Sequence, residues 1–180
     1  IVQESGRQAY HLGVVSGEAA RDARLSVHSF AIGGKVARTD LYGDLAATGA
    51  QLELDGLYLV SDGQYIDHHT WVRHLAEHGQ SRQLFKGVLN GKSEAVFDGL
   101  VHVAKGAQKT DARQENRNLL LAKRALAHSN PRLEIHTDDV KCSHGSTVGE
   151  LDPDALFYLR SRGIGADDAK GLLTYAFIGE

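Results

Sequence analysis

The sequence contains one cysteine and only two prolines among its 180 residues. A single cysteine cannot form a disulfide within the chain. With so few prolines, successive strands must be separated by glycines and polar turns. No apolar run approaches the ~18 residues that a membrane-spanning helix requires. We therefore expect a soluble, cytoplasmic protein without a membrane partner.

A strong charge of either sign is also missing. The net charge is −3 and the isoelectric point is about 6.4, so nucleic acid is not an expected partner. The length suits one domain with a substantial core. Because the sequence starts at Ile1 rather than methionine and stops inside the apolar run GLLTYAFIGE, we interpret it as part of a longer protein.

Alternation of apolar and polar residues dominates most of the chain. It runs through ARLSVHSFAIG, AQLELDGLYLV, SEAVFDGLVHV and PRLEIHTDDVKC, with Gly, Asp or Asn between these segments. Period-two alternation is typical of half-buried β-strands.

An internal repeat adds information about the architecture. Residues 41–63 align without gaps on residues 84–106, an offset of about 43 residues, and both copies contain the triplet Asp-Gly-Leu. That length fits one propeller blade or two coils of a β-solenoid. The usual propeller signatures are missing, since Trp71 is the only tryptophan and no Asp follows it. We therefore predict a right-handed parallel β-helix over residues 1–148, with Leu57 stacked near the register of Leu100 two coils on and both in the core.

Helix signals begin near the end of the chain. Asp152 is a suitable N-cap, Pro153 occupies a first-turn position, and the apolar stripe that follows ends at Gly163. A second helical pattern begins near Asp167. We assign residues 149–180 to the start of a truncated helical domain.

The segment His-Leu-Ala-Glu-His at residues 74–78 matches the inverted zinc-protease signature, in which two histidines on a helix bind zinc. The β-branched Thr70 and Val72 and the following Gly79 favour a strand and a turn. We interpret the match as chance, and predict neither stoichiometric zinc there nor peptide hydrolysis.

Two other polar groups have alternative interpretations. The first is a group of four histidines, His68, His69, His74 and His78. They either form a weak metal site on strands or, in the interpretation we prefer, are half-exposed residues of the sheet. The segment TDARQENRNLLL at residues 110–121 either binds a phosphate or a partner or, more simply, forms polar ladders at solenoid corners.

Cys142 and His144 are the most distinctive pair. In a strand, residues two apart share a face at about 6.6 Å between Cα atoms, so the thiol and the imidazole can address one metal. Spacing alone favours a simpler interpretation, in which Cys142 fills the core and His144 is a turn residue. Two ligands are fewer than the four of a structural zinc site, so a metal site would need ligands from another chain.

The segments DDVKCSHGSTVGELDPDALFYLRSRGI, SRQLFKGVLNGKSEAVFDGLVHV and GAQKTDARQENRNLLL resemble the SufB/SufD family of iron–sulfur cluster assembly proteins. The resemblance covers at least residues 67–164. SufB usually has Glu-His-Glu-Ala where this sequence has Cys-Ser-His-Gly at residues 142–145, which points to the SufD branch.

The resemblance implies a subunit of the SufB–SufC–SufD scaffold rather than an enzyme. In that complex SufC is the ATPase, SufB and SufD pair through their β-helices, and C-terminal helices dock SufC. His144 aligns with the SufD histidine implicated in cluster formation at the SufB interface, and Cys142 is the neighbouring thiol. Both are candidate ligands of a transient iron–sulfur cluster, because iron accepts thiolate and imidazole. SufD proteins have longer helical regions than this sequence, which puts SufC docking in doubt. The alternative is a purely structural solenoid.

Overall fold

The structure is a computed structural model that describes residues 1–179. Within this range the chain forms eleven strands and then two helices. The strands are β1 (Val2–Ser5), β2 (Tyr10–Ala19), β3 (Arg24–Gly33), β4 (Val36–Leu45), β5 (Gln51–Val60), β6 (Tyr65–His74), β7 (Gln80–Leu89), β8 (Glu94–Val103), β9 (Asp111–Leu120), β10 (Leu126–Ile135) and β11 (Lys141–Glu150). The helices are α1 (Pro153–Ser161) and α2 (Ala166–Gly179).

The strands alternate between two sheets as the chain proceeds. Odd-numbered strands form a six-stranded sheet in the order β1-β3-β5-β7-β9-β11, and even-numbered strands form a five-stranded sheet in the order β10-β8-β6-β4-β2. Every neighbouring pair is parallel. Each even strand with the odd strand after it makes one coil, so the chain is a parallel β-helix. The predicted architecture is confirmed.

The register corrects our interpretation of the internal repeat. Leu57 on β5 pairs with Lys86 on β7, and Leu100 on β8 pairs with Trp71 on β6. Neighbouring strands of one sheet lie one coil apart, so a coil is only about two thirds as long as the repeat offset, and the repeat spans one and a half coils. Leu57 and Leu100 therefore lie in different sheets, and the prediction that they stack two coils apart is wrong.

The repeated triplet places glycine, not leucine, inside the coil. Leu57 and Leu100 are half-buried on the outer faces of their sheets, so neither belongs to the inward columns. A Cβ atom on the inward Gly56 would overlap the ring of Phe85, and one on Gly99 would overlap the Gln114 amide and the neighbouring Phe97 ring. At both copies of the repeat, glycine is needed because a neighbouring side chain occupies the space that a Cβ atom would fill.

The core lies between the two sheets. Its largest apolar members are Leu41, Leu45, Leu52, Leu54, Tyr58, Ile66, Phe85, Leu89 and Phe97. The rings of Phe85 and Phe97 are 4.9 Å apart between centroids, a separation typical of favourable aromatic packing.

The interior also contains polar side chains from residues 110–121. Most of this segment forms β9, and its inward side chains alternate with outward ones, so the prediction of a polar ladder at a corner is wrong. The Tyr58 hydroxyl donates to Asn118 Oδ1 at 2.6 Å, and Asn116 Nδ2 donates to the Tyr58 oxygen at 2.9 Å. Asn118 Nδ2 donates to Asn116 Oδ1 at 2.8 Å. These bonds satisfy amides that would otherwise be costly to bury.

The helix that the zinc-protease signature requires does not form at residues 74–78. His74 ends β6 inside the coil, where its Nε2 atom lies 2.8 Å from Ser81 Oγ. His78 lies in the following turn with a φ of +60°. The signature therefore lacks its structural context.

The remaining histidines of this group face different ways. His68 is buried and its ring stacks 5.3 Å from that of Tyr58, whereas His69 lies on the outer face with Nε2 3.0 Å from Asp67. The preferred interpretation as half-exposed sheet residues holds for His69. It is wrong for His68 and His74, which are buried, and for His78, which is exposed in a turn.

The two predicted helices are present with the expected capping. The Asp152 side chain accepts from the Asp154 amide at 2.9 Å, Pro153 occupies the first turn, and the chain turns at Gly163 with a φ of +85°. No helix within residues 1–179 has the length and apolarity needed to cross a membrane.

Candidate functional site

Strand β11 ends its sheet and pairs on one side only. The Lys141 amide donates to the Thr110 carbonyl at 2.8 Å, which starts the ladder with β9. Along a β-strand, successive residues turn their backbone groups to opposite sides, so residues 142, 144, 146 and 148 direct theirs to the unpaired edge. This edge presents a row of donors and acceptors on which another strand can add.

The same strand places Cys142 and His144 on one face. Cys142 pairs with Ala112 and His144 with Gln114, and both partners are fully buried inward positions of β9. The predicted common face is therefore confirmed. Because no coil follows β11 within residues 1–179, this face lies at an open end of the β-helix. Cys142 is half-buried and packs against the core, whereas His144 is exposed.

The environment of Cys142 disfavours the thiolate form. Burial raises the pKa of the Cys142 thiol, and the nearby Asp111 carboxylate raises it further, while a hydrogen bond with the Ala112 backbone acts in the opposite direction. Because metal ions bind the thiolate, ligation by Cys142 requires that the metal itself or a partner surface stabilise the negative charge.

Beneath His144 lies a buried polar group that the sequence analysis missed. Gln114 is fully buried, and neither polar atom of its amide has a hydrogen-bond partner among residues 1–179. In the preceding coil, Thr70 Oγ1 donates to Gln83 Oε1 at 2.7 Å, while both ring nitrogens of His68 lack a partner in the same range. The sequence carries no signal that singles out Gln114, because every residue from 113 to 118 is polar on both faces of the strand.

The outer side of this end is partly covered by α2. Beside this helix, an open cavity of about 490 Å³ is bordered by residues from both faces of the sheet edge, including Glu115, Arg117 and His144, and by Phe177 of the helix. Arg117 Nη2 lies 2.6 Å from Glu115 Oε2. The helix is held against the sheet because Lys86 Nζ donates to the Phe177 carbonyl at 2.8 Å, which caps the carboxyl end of α2.

Cys142 and His144 by themselves would not complete a metal site. Over the described chain, no third Cys, His, Asp or Glu lies close enough to both of them to form a metal-binding group. One thiol and one imidazole leave at least two positions open on a four-coordinate metal.

These features define a class of protein: a parallel β-helix whose open end carries a thiol, an imidazole and an unpaired strand edge. The particular family follows from sequence comparison. Residues 1–177 match the family model described as the SufBD core domain of SUF system iron–sulfur cluster assembly. The chain belongs to this SufB/SufD core family.

Several curated proteins are similar to the chain. It is 44% identical over 161 residues to the iron–sulfur cluster assembly protein SufD of Escherichia coli, covering 89% of this chain and 38% of that protein. It is 35% identical over 178 residues to an iron–sulfur cluster assembly SufBD family protein of Synechocystis, covering 99% and 39%. SufD of Bacillus subtilis is 34% identical over 140 residues, covering 78% and 31%. The chain thus spans about two fifths or less of the length of these relatives.

Proposed function

We propose that this chain is a SufD-type, non-catalytic subunit of a cytoplasmic SufB–SufC–SufD scaffold. In this proposal it pairs with SufB through its β-helix and supports the formation of an iron–sulfur cluster at the shared interface. The cluster is a transient product that leaves the complex. The single observation that carries the proposal is the placement of His144 and Cys142 on one face at the open, unpaired end of the β-helix.

The two free edges at this end are not equivalent, and the difference favours β11 as the pairing strand. On β10, the amides of Leu126 and His136 donate to β8, so the alternating residues between them, including Pro131, face the free edge. Proline has no amide hydrogen, so the free edge of β10 lacks one donor. Residues 142–148 of β11 contain no proline. A partner strand that adds to β11 would lie directly beside Cys142 and His144.

His144 is the principal ligand in this proposal. Its side chain is exposed, and a neutral imidazole is a common metal ligand in proteins that does not have to become an anion first. Cys142 is half-buried and its pKa is raised, so it contributes only after the partner or the metal stabilises a thiolate. The remaining ligands would come from SufB.

The ATPase in the proposed complex is SufC. Its docking would involve helices at the carboxyl end, of which α1 and α2 form the first part. Since the chain covers at most about two fifths of the relatives described above, SufC contacts are proposed for the whole protein.

The test is co-expression of the whole protein with SufB and SufC, with complex yield and bound iron and sulfide measured separately. His144→Ala should leave the complex intact and lower cluster content, and Cys142→Ala should have a smaller effect. Ser143→Ala is the matched control, because Ser143 is exposed on the same strand but faces the opposite way. Normal cluster content in both site variants would refute the ligand assignment and favour a structural solenoid that only holds its partner.

A further inference from the structure

A second group of metal-binding side chains lies on the outer face of the other sheet. His102 on β8 pairs directly with Glu134 on β10, and His136 follows two residues after Glu134. The ligand atoms of these three side chains all lie within 4.8 Å of one another. They are the only group of three or more such side chains found within residues 1–179.

We propose that His102, Glu134 and His136 form a binding site for one divalent transition-metal ion of the Fe²⁺ or Zn²⁺ type. Two imidazoles and one carboxylate are a ligand set that both ions accept, and they leave coordination positions open to water or to an incoming ligand. This site is separate from Cys142 and His144, which lie in the other sheet, and it does not depend on the proposed function.

The backbone holds the three residues in position. The register of the β8–β10 ladder sets His102 opposite Glu134, and the amide of His136 donates to the Val103 carbonyl at 2.9 Å. His102 Nδ1 and Glu134 Oε2 are 3.5 Å apart, and the two imidazole rings are 5.1 Å apart between centroids. Metal–ligand bonds of about 2.1 Å place neighbouring ligand atoms about 3–4 Å apart. Small rotations of exposed side chains are enough to reach that spacing.

The neighbouring charges permit a cation here. Arg73 on β6 lies beside His102 in the sheet, but its Nε atom donates to Asp44 at 2.7 Å. On β10, Arg132 is paired with Asp98 at 2.5 Å. Both cationic groups are thus neutralised by their own carboxylates. With two neutral imidazoles and one carboxylate, the three ligands carry a net charge of about −1. This charge attracts a cation.

The same two strands provide a matched control. At their other end, His128 Nε2 lies 3.2 Å from Glu94 Oε1, which makes a histidine–glutamate pair on the same outer face but without a third ligand. If any exposed pair of this kind were sufficient, His128→Ala would weaken metal binding as much as changes in the proposed site.

The experiment is an anaerobic titration of the full chain with Co²⁺, followed by visible absorption, and then displacement by Zn²⁺ or Fe²⁺. The chain carries Cys142→Ala and His144→Ala so that those residues contribute no binding. We expect one equivalent of Co²⁺ to bind, Zn²⁺ to displace it, and Fe²⁺ to displace it only in excess, because the affinity of such sites rises from Fe²⁺ to Co²⁺. His102→Ala and His136→Ala should each weaken binding by more than about tenfold, and Glu134→Gln should also weaken it. His128→Ala should leave the affinity unchanged.

Circular dichroism and the unfolding midpoint establish that each variant is folded. The proposal is overturned if no saturable binding occurs, or if folded His136→Ala binds Co²⁺ as tightly as His128→Ala does. Because His144 and Cys142 are already replaced, this failure is distinguishable from a failure of the cluster-assembly proposal.

Discussion

Replacing Gly56 by alanine tests how the interior of the β-helix is packed. The added Cβ atom would overlap the ring of Phe85, whose side chain is fully buried. That ring cannot easily retreat, because the Phe97 ring lies 4.9 Å away and the His68 ring 5.5 Å away between centroids. Forcing an extra carbon into a filled core costs about 1–3 kcal/mol of unfolding free energy. We therefore expect Gly56→Ala to destabilise the chain by roughly that amount.

A matched variant separates this overlap from the general effect of replacing glycine. Gly149 also lies in a strand, but no atom lies within 4 Å of a Cβ built there. Alanine loses less backbone entropy than glycine on folding, a difference of about 0.5–1 kcal/mol. Gly149→Ala should consequently be neutral or slightly stabilising.

The assay is urea unfolding, with the midpoint and slope compared among the variants. Phe85→Leu should be destabilising alone, because it removes ring contacts in the core. Combined with Gly56→Ala, it should cost less than the sum of the two changes, by about 0.5–3 kcal/mol, because the smaller side chain makes room for the methyl group. Additive effects, or a fully stable Gly56→Ala variant, would refute the explanation of the Asp-Gly-Leu repeat.

Two further predictions concern the buried polar groups. Tyr58→Phe should lower the unfolding free energy by about 1–3 kcal/mol in the same urea assay, because Asn118 Oδ1 loses its 2.6 Å donor. The control is Tyr10→Phe at an exposed site, which should have little effect. Burial lowers the pKa of His68 and of His74 to about 4, against about 6.5 in an unfolded chain. The unfolded chain therefore binds protons first, so stability should be full above about pH 6.5 and fall as the pH drops towards 4. His68→Leu should make the loss of stability between pH 7 and pH 5 less steep, as measured by unfolding midpoints. An unchanged pH dependence would contradict the lowered pKa of His68.

The sequence alone was sufficient for the local structure. Alternation predicted the strands because side chains of a strand point to opposite faces in turn. Asp152 and Pro153 predicted the start of α1 because a side-chain cap and a first-turn proline act within a few residues. The resemblance in the segments around Cys142 also led to the family that the comparison confirmed.

The sequence did not reveal which face of each strand is inside. In the repeated triplet, Leu57 and Leu100 were predicted as core, yet the inward residues are Gly56 and Gly99. Alternation carries only the period of two, and where apolar side chains occur on both faces it does not say which face is buried. At Gly56, the Phe85 ring of the next coil occupies the space that a Cβ atom would fill, and the sequence of the triplet does not contain this contact.

Only the tertiary structure decided which distant residues meet. The length of a coil is set by its strands and turns together. The offset of the internal repeat does not equal that length, so the repeat did not predict which strands pair. The resulting register brings His102 on β8 beside Glu134 on β10, and sets His144 above the buried Gln114. The sequence determined the strands, the helix caps and the residue types near the start of β11. The coil length decided their neighbours, because pairing between parallel strands depends on the whole intervening chain rather than on either strand alone.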